Sequence, residues 1–387
     1  MAPQISLPRA DGNVETHIVR GTPVTAPRPA PAFNRIAYAA AHVVNAPIGD
    51  TDPWTAASID WDATLAFRRH LYALGFKVAE AMDTAQRGMG LAWDDTKTLI
   101  SRSLADARTI NGADLACGAG TDQLSPNSVR TLDDVIRAYE EQVEFVEAAG
   151  GRVILMASRA LARAASGPED YARVYGRILS QAQDKVVLHW LGDMFDPLLA
   201  GYWGSDRFEA ALETVLGIIS DNAAKVAGIK ISLLDSDREI ALRRRLPEGV
   251  LCFTGDDFNY AELIEGDAEG YSHALLGIFD AIAPAASAAL AELAVGDTNA
   301  YRALLEPTVA LSRTIFEAPT QFYKAGVVFL AWLNGHQDHF TMLGGMQSSR
   351  GILHYAQIFR QADAAGLLAD PELATSRMTA LLACYGY

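Results

Sequence analysis

Cysteine is scarce in this chain. Cys117, Cys252 and Cys384 are its only thiols in 387 residues, and no C-x-x-C spacing occurs. So odd and scattered a set excludes a disulfide framework and a thiolate zinc site, and it fits a reducing compartment. Basic charge is also in deficit: 32 Lys and Arg face 47 Asp and Glu, for a formal net charge of -15. Without a Lys/Arg stripe to displace counterions from phosphates, nucleic acid is not an expected partner. No apolar run reaches membrane-spanning length, and the opening MAPQISLPRADG lacks the charged-then-apolar order of a secretory signal. The expected location is therefore cytoplasmic, with no membrane partner. Two catalytic signatures are missing as well. No G-x-S-x-G exists, which removes the obvious serine hydrolase. Gly118-Ala119-Gly120-Thr121-Asp122-Gln123 begins like a dinucleotide loop but lacks the third glycine.

What is present is a core and a rhythm. Half of the residues are apolar and 20% are charged, enough for a sizeable interior in two ordinary domains or one large barrel. Near the start, Ile5-Ser6-Leu7 and Val14–Val19 read as short strands around the turn Ala10-Asp11-Gly12-Asn13. Pro23, Pro27, Pro29 and Pro31 then make an extended link. From Arg35, strand-like runs recur at Ile36–Val44, Val78–Met82, Leu115–Gly120, Val153–Ala157, Val186–Leu191, Val226–Leu234 and Val250–Thr254, with a weaker one at Tyr271–Gly277. Segments of helical periodicity lie between them. Thr131 before Asp133 and Asp134, and Ser166-Gly167-Pro168-Glu169, mark helix starts.

Strands alternating with helices imply right-handed βαβ units and a parallel sheet. Eight such units over roughly 250 residues match the size of a closed (β/α)8 barrel. An open doubly wound sheet would show a glycine-rich loop after its first strand, where this chain has Ala39-Ala40-Ala41-His42. The expected fold is thus α/β, a TIM barrel over 34–295, with an N-terminal hairpin and link over 1–33. A C-terminal helical extension over 296–387 has helices at Thr298–Leu305, Phe322–Leu333, Ile352–Asp363 and Pro371–Cys384.

The carboxyl ends of barrel strands face the active site. Those ends carry His42, Glu80, Asp83, Asp122, Arg159, His189, Lys230, Asp256, Asp257 and His273. Lys230 interrupts the apolar run Val226–Leu234. It either leans into solvent at the end of its strand or is an amine made nucleophilic by partial burial. Each neighbour has a plain reading too: His189 as a satisfied core histidine, Asp256 and Asp257 as helix caps. Leu242-Arg243-Arg244-Arg245 reads as a solvated helix end, and Asn334-Gly335-His336-Gln337-Asp338-His339 as a loop.

Gly228-Ile229-Lys230, Thr254-Gly255-Asp256-Asp257 and Cys117-Gly118-Ala119-Gly120-Thr121 together resemble the dihydrodipicolinate synthase/N-acetylneuraminate lyase superfamily. Ile59-Asp60-Trp61-Asp62 before the first helix fits it as well. Met82–Gly88 stands where that family has its Gly-Thr-Thr-Gly-Glu loop, and Ala318–Lys324 is similar to its proline-containing loop. The resemblance runs over about residues 34–295, and the chain looks like a divergent, domain-of-unknown-function group within the superfamily. It implies that Lys230 is the Schiff-base lysine and Thr84 the first threonine of a hydroxyl relay. It also implies departures: Ala85 for the second threonine, His189 for the proton-passing tyrosine, and Met194 for the carboxylate-binding arginine. The strand-four aromatic gives way near Ser158-Arg159. A bidentate clamp cannot become Met and still hold a carboxylate, which leaves Arg87 or Arg159 for that task. Homodimers or homotetramers are implied too.

The leading expectation is a class I, Schiff-base lyase of aldolase or dehydratase type. Its partner is a small hydroxylated carbonyl substrate, a sugar-derived keto compound, and it needs no cofactor. Lys230 forms the imine, His189 is the general acid/base and Thr84 assists proton transfer. Asp83, Arg87, Arg159, Asp256, Asp257 and His273 bind the substrate. The alternative is an isomerase or hydrolase holding a divalent metal on Glu80, His189, Asp256 and His273. A non-catalytic small-molecule-binding barrel comes last.

Overall fold

A computed structural model describes residues 2–30, 32–125, 127–128 and 131–387, so Pro31 of the proline-rich link lies outside the described residues. Strands β1 (Gln4–Pro8) and β2 (Val14–Ile18) pair antiparallel around the Asp-Gly turn. The next strands are β3 (Ala37–Ala40), β4 (Lys77–Glu80), β5 (Leu115–Ala119), β6 (Arg152–Leu155), β7 (Val186–Leu191), β8 (Val226–Ser232), β9 (Leu251–Thr254) and β10 (His273–Leu276). These eight pair in parallel with their neighbours in sequence, and β10 returns to β3 to close a barrel. The chain is an α/β protein with a (β/α)8 barrel, an N-terminal hairpin and C-terminal helices.

Parallel strands need a crossover, and the periodic segments supply it. The helices are α1 (Trp61–Ala73), α2 (Trp93–Ala107), α3 (Leu132–Ala148), α4 (Arg159–Ala164), α5 (Pro168–Gln181), α6 (Phe208–Asp221), α7 (Ser236–Arg243) and α8 (Tyr260–Glu265). After β10 come α9 (Ile278–Ala281), α10 (Ala283–Ala294), α11 (Thr298–Ile315), α12 (Lys324–Leu333), α13 (Ile352–Ala364) and α14 (Pro371–Cys384). Local chemistry sets their starts. Thr131 and Asp134 form a capping box for α3, Pro168 opens α5, and Asp60 accepts the Ala63 N–H at the start of α1.

Helix α11 runs ten residues past the expected Leu305, straight through Pro307. A proline there removes one N–H, but Tyr301, Leu305, Thr308, Leu311, Ser312 and Ile315 keep one buried stripe along the whole helix. Packing of that stripe outweighs the lost bond.

The contacts divide into two units. One comprises residues 35–41 and 77–276 and holds all eight barrel strands; the other comprises 1–34, 42–76 and 277–387. In the second, α12 is buried on every side, as its composition KAGVVFLAWL demands. Gly326 makes that possible, because a Cβ there would stand 3.0 Å from side-chain carbons of both Ile315 and Ile358.

Inside the barrel, Tyr38, Ala79, Ala116, Ile154, Met156, Phe253 and Leu275 form one apolar cluster. At the amino ends of the strands it is closed by charge: Lys77 and Arg152 both pair with Asp114, and Arg152 also donates to Tyr38 Oη at 3.1 Å. The apolar layer is thus a dry floor, and whatever stands above it belongs to the carboxyl ends.

Between α7 and the barrel wall, Glu239 is buried, with Oε1 accepting from Ser272 Oγ at 2.6 Å. Oε2 has no partner among the described residues, and burial pushes the carboxyl up to about 8. An unfolded glutamate ionises near 4.5. Between those values the folded state holds the extra proton, so stability falls as pH rises through the window. Glu239→Gln keeps the shape and abolishes the titration. Its melting midpoint should exceed that of the natural chain by several degrees near pH 8 and match it near pH 4.5, as read by scanning calorimetry.

Candidate active site at the carboxyl ends of the barrel strands

Lys230 is the fifth residue of β8, and only 7% of it is exposed. Its register partners are His189 on β7 and Phe253 on β9. Side chains two apart on a strand share a face, so Ser232 points the same way as Lys230. Room for the lysine comes from Gly255, just past β9: a Cβ there would stand 2.5 Å from Lys230 Cε and would also clash with Ser232 Oγ. The side chain therefore does not lean into solvent. Its amine makes no hydrogen bond or ion pair with a described residue. Burial lowers its pKa from the usual 10.5, and the carboxylates of Asp257 and Asp83 only partly offset this.

His189 is wholly buried beside it. Nε2 lies 3.3 Å from Ser232 Oγ, and Nδ1 has no partner among the described residues. Burial first, and then the charge of Lys230, hold its pKa well below the usual value. The imidazole is neutral at physiological pH, with one N–H to give and one lone pair to receive.

A cleft opens at the carboxyl ends of β4 to β7, with Asp83, Arg87, Met156, Arg159, His189 and Leu191 among its walls. Lys230 is not itself a wall; it stands one strand over from His189. The two arginines of the cleft differ sharply. Arg87 spends every N–H inside the protein: Nε and Nη2 on Asp122, Nη1 on the carbonyls of Ala81 and Gly118 at 3.3 and 2.8 Å, and Nη2 on Gln142 Oε1 at 2.6 Å. Burial pushes Asp122 up, but Arg87 and Gln142 outweigh it and hold the carboxyl below its usual range. Arg87 is a strut. Arg159 gives only Nε to Asp196, leaves both terminal nitrogens without a partner among the described residues, and keeps 36% of its side chain exposed.

A web of buried hydroxyls fixes the turn that presents Arg159. Ser158 caps α4 through Leu161 N–H at 2.9 Å and pairs with Thr121 Oγ1 at 2.6 Å. Tyr202 Oη accepts the Ser158 N–H at 3.0 Å and meets Tyr175 Oη at 2.9 Å, while Tyr139 donates to Met156 O at 2.6 Å. Desolvation drives all three phenols up, so they stay protonated donors. Ser232, Asp196 and Gln142 carry no motif. Only the i+2 spacing of Ser232 from Lys230 could have drawn notice to one of them.

Other strand-end residues fall in different places. Thr84 is buried in the short 3₁₀ turn Asp83–Ala85 that follows β4. Asp256 closes the turn after β9, accepting from Phe258 N, Asn259 N and Asn259 Nδ2 at 2.8, 3.0 and 2.8 Å. His273 opens β10 rather than ending it, and its Nδ1 accepts the Ile36 N–H at 3.0 Å, at the amino side of the barrel. Glu80 shares the outward face of the sheet with its register partner Cys117 and accepts the Ala81 N–H at 2.8 Å. His42 belongs to the other unit, where Nδ1 meets Asp280 Oδ2 at 2.8 Å. The structure thus groups Lys230, His189, Asp83 and Asp257, with Arg87 and Arg159 in the adjoining cleft, and does not bring His273 or Glu80 to them. Among the described residues no three His, Cys, Asp or Glu side chains converge as metal ligands, the set Glu80, His189, Asp256 and His273 included. No described helix is long and apolar enough to cross a membrane.

The fold defined by this barrel is that of the dihydrodipicolinate synthases. The enzyme of that name from Thermotoga maritima is 16% identical, with a TM-score of 0.62 over 86% of this chain and 99% of that one. YagE, a prophage protein of the dihydrodipicolinic acid synthase family from E. coli K12 crystallised with pyruvate, is 12% identical, with a TM-score of 0.63 over 84% and 97%. A monomeric dihydrodipicolinate synthase variant is 16% identical, with a TM-score of 0.60 over 86% and 97%. By sequence, residues 5–387 match the family described as "Protein of unknown function (DUF993)", and the chain belongs to that family. No curated protein matches it.

The space kept by Gly255 is open to test. Gly255→Ala forces Lys230 and Ser232 to move, and overpacking of this kind costs about 1–3 kcal/mol. A fall of that size in unfolding free energy, measured by denaturant titration, is the expected result.

Proposed function

We propose that this chain is a Schiff-base lyase of aldolase or dehydratase type, acting on a small hydroxylated keto compound through Lys230. One observation carries the reading: a buried amine with no hydrogen-bond partner among the described residues stands beside a neutral imidazole above an apolar floor. Lowering the pKa frees the lone pair of Lys230 at a lower pH than that of an ordinary lysine. That lone pair adds to the substrate carbonyl carbon. The carbonyl oxygen picks up protons and departs as water, leaving a protonated imine on Nζ. For dehydration the imine first loses an α-proton, and the resulting enamine expels the β-hydroxyl as water to leave a conjugated imine that water hydrolyses. For C–C cleavage the β-hydroxyl gives up its proton, an aldehyde leaves, and the C–C bond electrons pass to the imine to leave an enamine. Protonating the enamine and adding water back release the product and restore the amine.

His189 suits the proton transfers, since its free Nδ1 and its Ser232-bonded Nε2 offer both roles of a neutral imidazole. Thr84 is assigned the assisting hydroxyl. Asp83 and Asp257 balance the positive charge of the iminium, as they already favour the charged lysine. Arg159 favours a substrate with an acid group, such as a keto acid derived from a sugar, because its outer N–H groups are open while those of Arg87 are spent. The cytoplasmic location and the homodimer or homotetramer belong to this same proposal, and light scattering of the full chain tests the assembly.

Borohydride reduction in the presence of hydroxylated keto acids should inactivate the enzyme and add the substrate mass to the Lys230 peptide. Full turnover by Lys230→Ala would end the proposal. The rate of imine formation should rise with pH through the lowered pKa of Lys230 and level off before 10.5, where a solvent-exposed lysine would still be climbing. Arg159→Gln should raise KM for an anionic substrate by roughly ten- to a hundredfold, the worth of a charged hydrogen bond of about 1.5–3 kcal/mol, and leave KM for a neutral ketose nearly unchanged.

A further inference from the structure

The unit without the barrel strands has a cavity of its own, of about 400 Å³. One wall is the strap at residues 23–28, and its attachment is specific. Asp363 of α13 takes the N–H groups of Arg20 and Gly21 at 3.0 and 2.7 Å and meets His17 Nε2 at 2.9 Å. Val24 then donates to Gly366 O at 2.9 Å. Gly21 has to be glycine here, since a Cβ would fall on the backbone of Asp363. The other walls come from α1, α9, α10, the end of α12 and the turn around Gly366.

Most of the lining is apolar, with Leu74, Pro284, Leu330 and Leu367 prominent. The polar groups are few and unevenly satisfied. His70 and His336 lie against each other, ring centroids 4.4 Å apart and planes tilted by 49°, and no ring nitrogen of either bonds to a described residue. Burial keeps both neutral, His336 down to about 3. Asn334 accepts the Ala369 N–H through Oδ1, and its amide N–H groups have no partner among the described residues. Asp280 is occupied by the backbone N–H and the ring of His42. Arg28, close enough for His70 to feel its charge, makes no ion pair or hydrogen bond with a described residue. Summed over Arg28, Asn334 and the two imidazoles, unused donors outnumber unused acceptors.

We infer that this cavity is a second ligand site, which takes a small organic monocarboxylate with a compact apolar body. The carboxylate pairs with Arg28 and accepts from the imidazole and amide N–H groups, while its body lies on the leucine and proline walls. One guanidinium balances one negative charge, which favours a carboxylate over a dianionic phosphate ester. The site is separate from Lys230 and needs no imine, so it holds or fails independently of the lyase reading.

The probe is benzoate, with benzamide as its neutral twin, titrated by calorimetry into the full chain. Benzoate should bind saturably at millimolar concentration and shift the ¹⁵N resonances of His70 and His336. Benzamide should bind about tenfold more weakly. Arg28→Gln, at the exposed rim, should weaken benzoate about tenfold, and His336→Phe should do the same, while Lys230→Ala leaves binding intact. Absence of saturable binding overturns the inference. So does binding that survives Arg28→Gln with the histidine resonances unmoved, or binding lost in Lys230→Ala, which would put the anion in the barrel.

Discussion

An ammonium ion above a ring of apolar strands loses its hydration, and the rest of the barrel mouth is arranged around that loss. Among the described residues Lys230 has no counter-ion in contact to restore its stability as a cation, and the carboxylates of Asp83 and Asp257 act only at a distance. A contact ion pair would have pinned the proton on the amine. Gly255 supplies the space and the Phe253 layer the dry floor. His189, desolvated in the same way, moves in the direction that keeps it neutral. One cause, burial, thus pushes both groups toward their uncharged forms.

Around that pair the protein separates two uses of arginine. Arg87 is consumed by five internal acceptors and ties the ends of β4 and β5 to α3. Arg159 is steered by a single carboxylate and by a turn that buried tyrosines hold still. A guanidinium that has spent its donors is rigid but silent; one held at Nε alone is aimed and still available. Arg159 is therefore the arginine of the cleft with donors still open.

Much of the architecture is legible in the order of residues. Apolar runs at regular intervals, separated by capped amphipathic segments, leave a closed parallel barrel as the economical solution, and helices α3 and α5 begin at their caps. Pro307 marks the limit of such reading. A local rule stops the helix there, but a buried stripe on both sides of the proline carries α11 through. The weak run at Tyr271–Gly277 misleads in another way. Its actual strand starts at His273, which turns an apparent carboxyl-end histidine into an amino-end one.

The sequence by itself determined the barrel, the place of Lys230 on a strand buried on both faces, and the absence of an arginine at position 194. These are properties of periodicity and residue type, which act within a few neighbours in the chain. Only the tertiary structure decided which charged groups share surroundings. Asp122, Gln142 and two carbonyls silence Arg87 from other strands and a helix, and Ser232 and His189 meet across the β7–β8 pair. Hydrogen-bond saturation and desolvation depend on every atom within a few ångströms in space. Sequence spacing holds no record of that neighbourhood until the strands close.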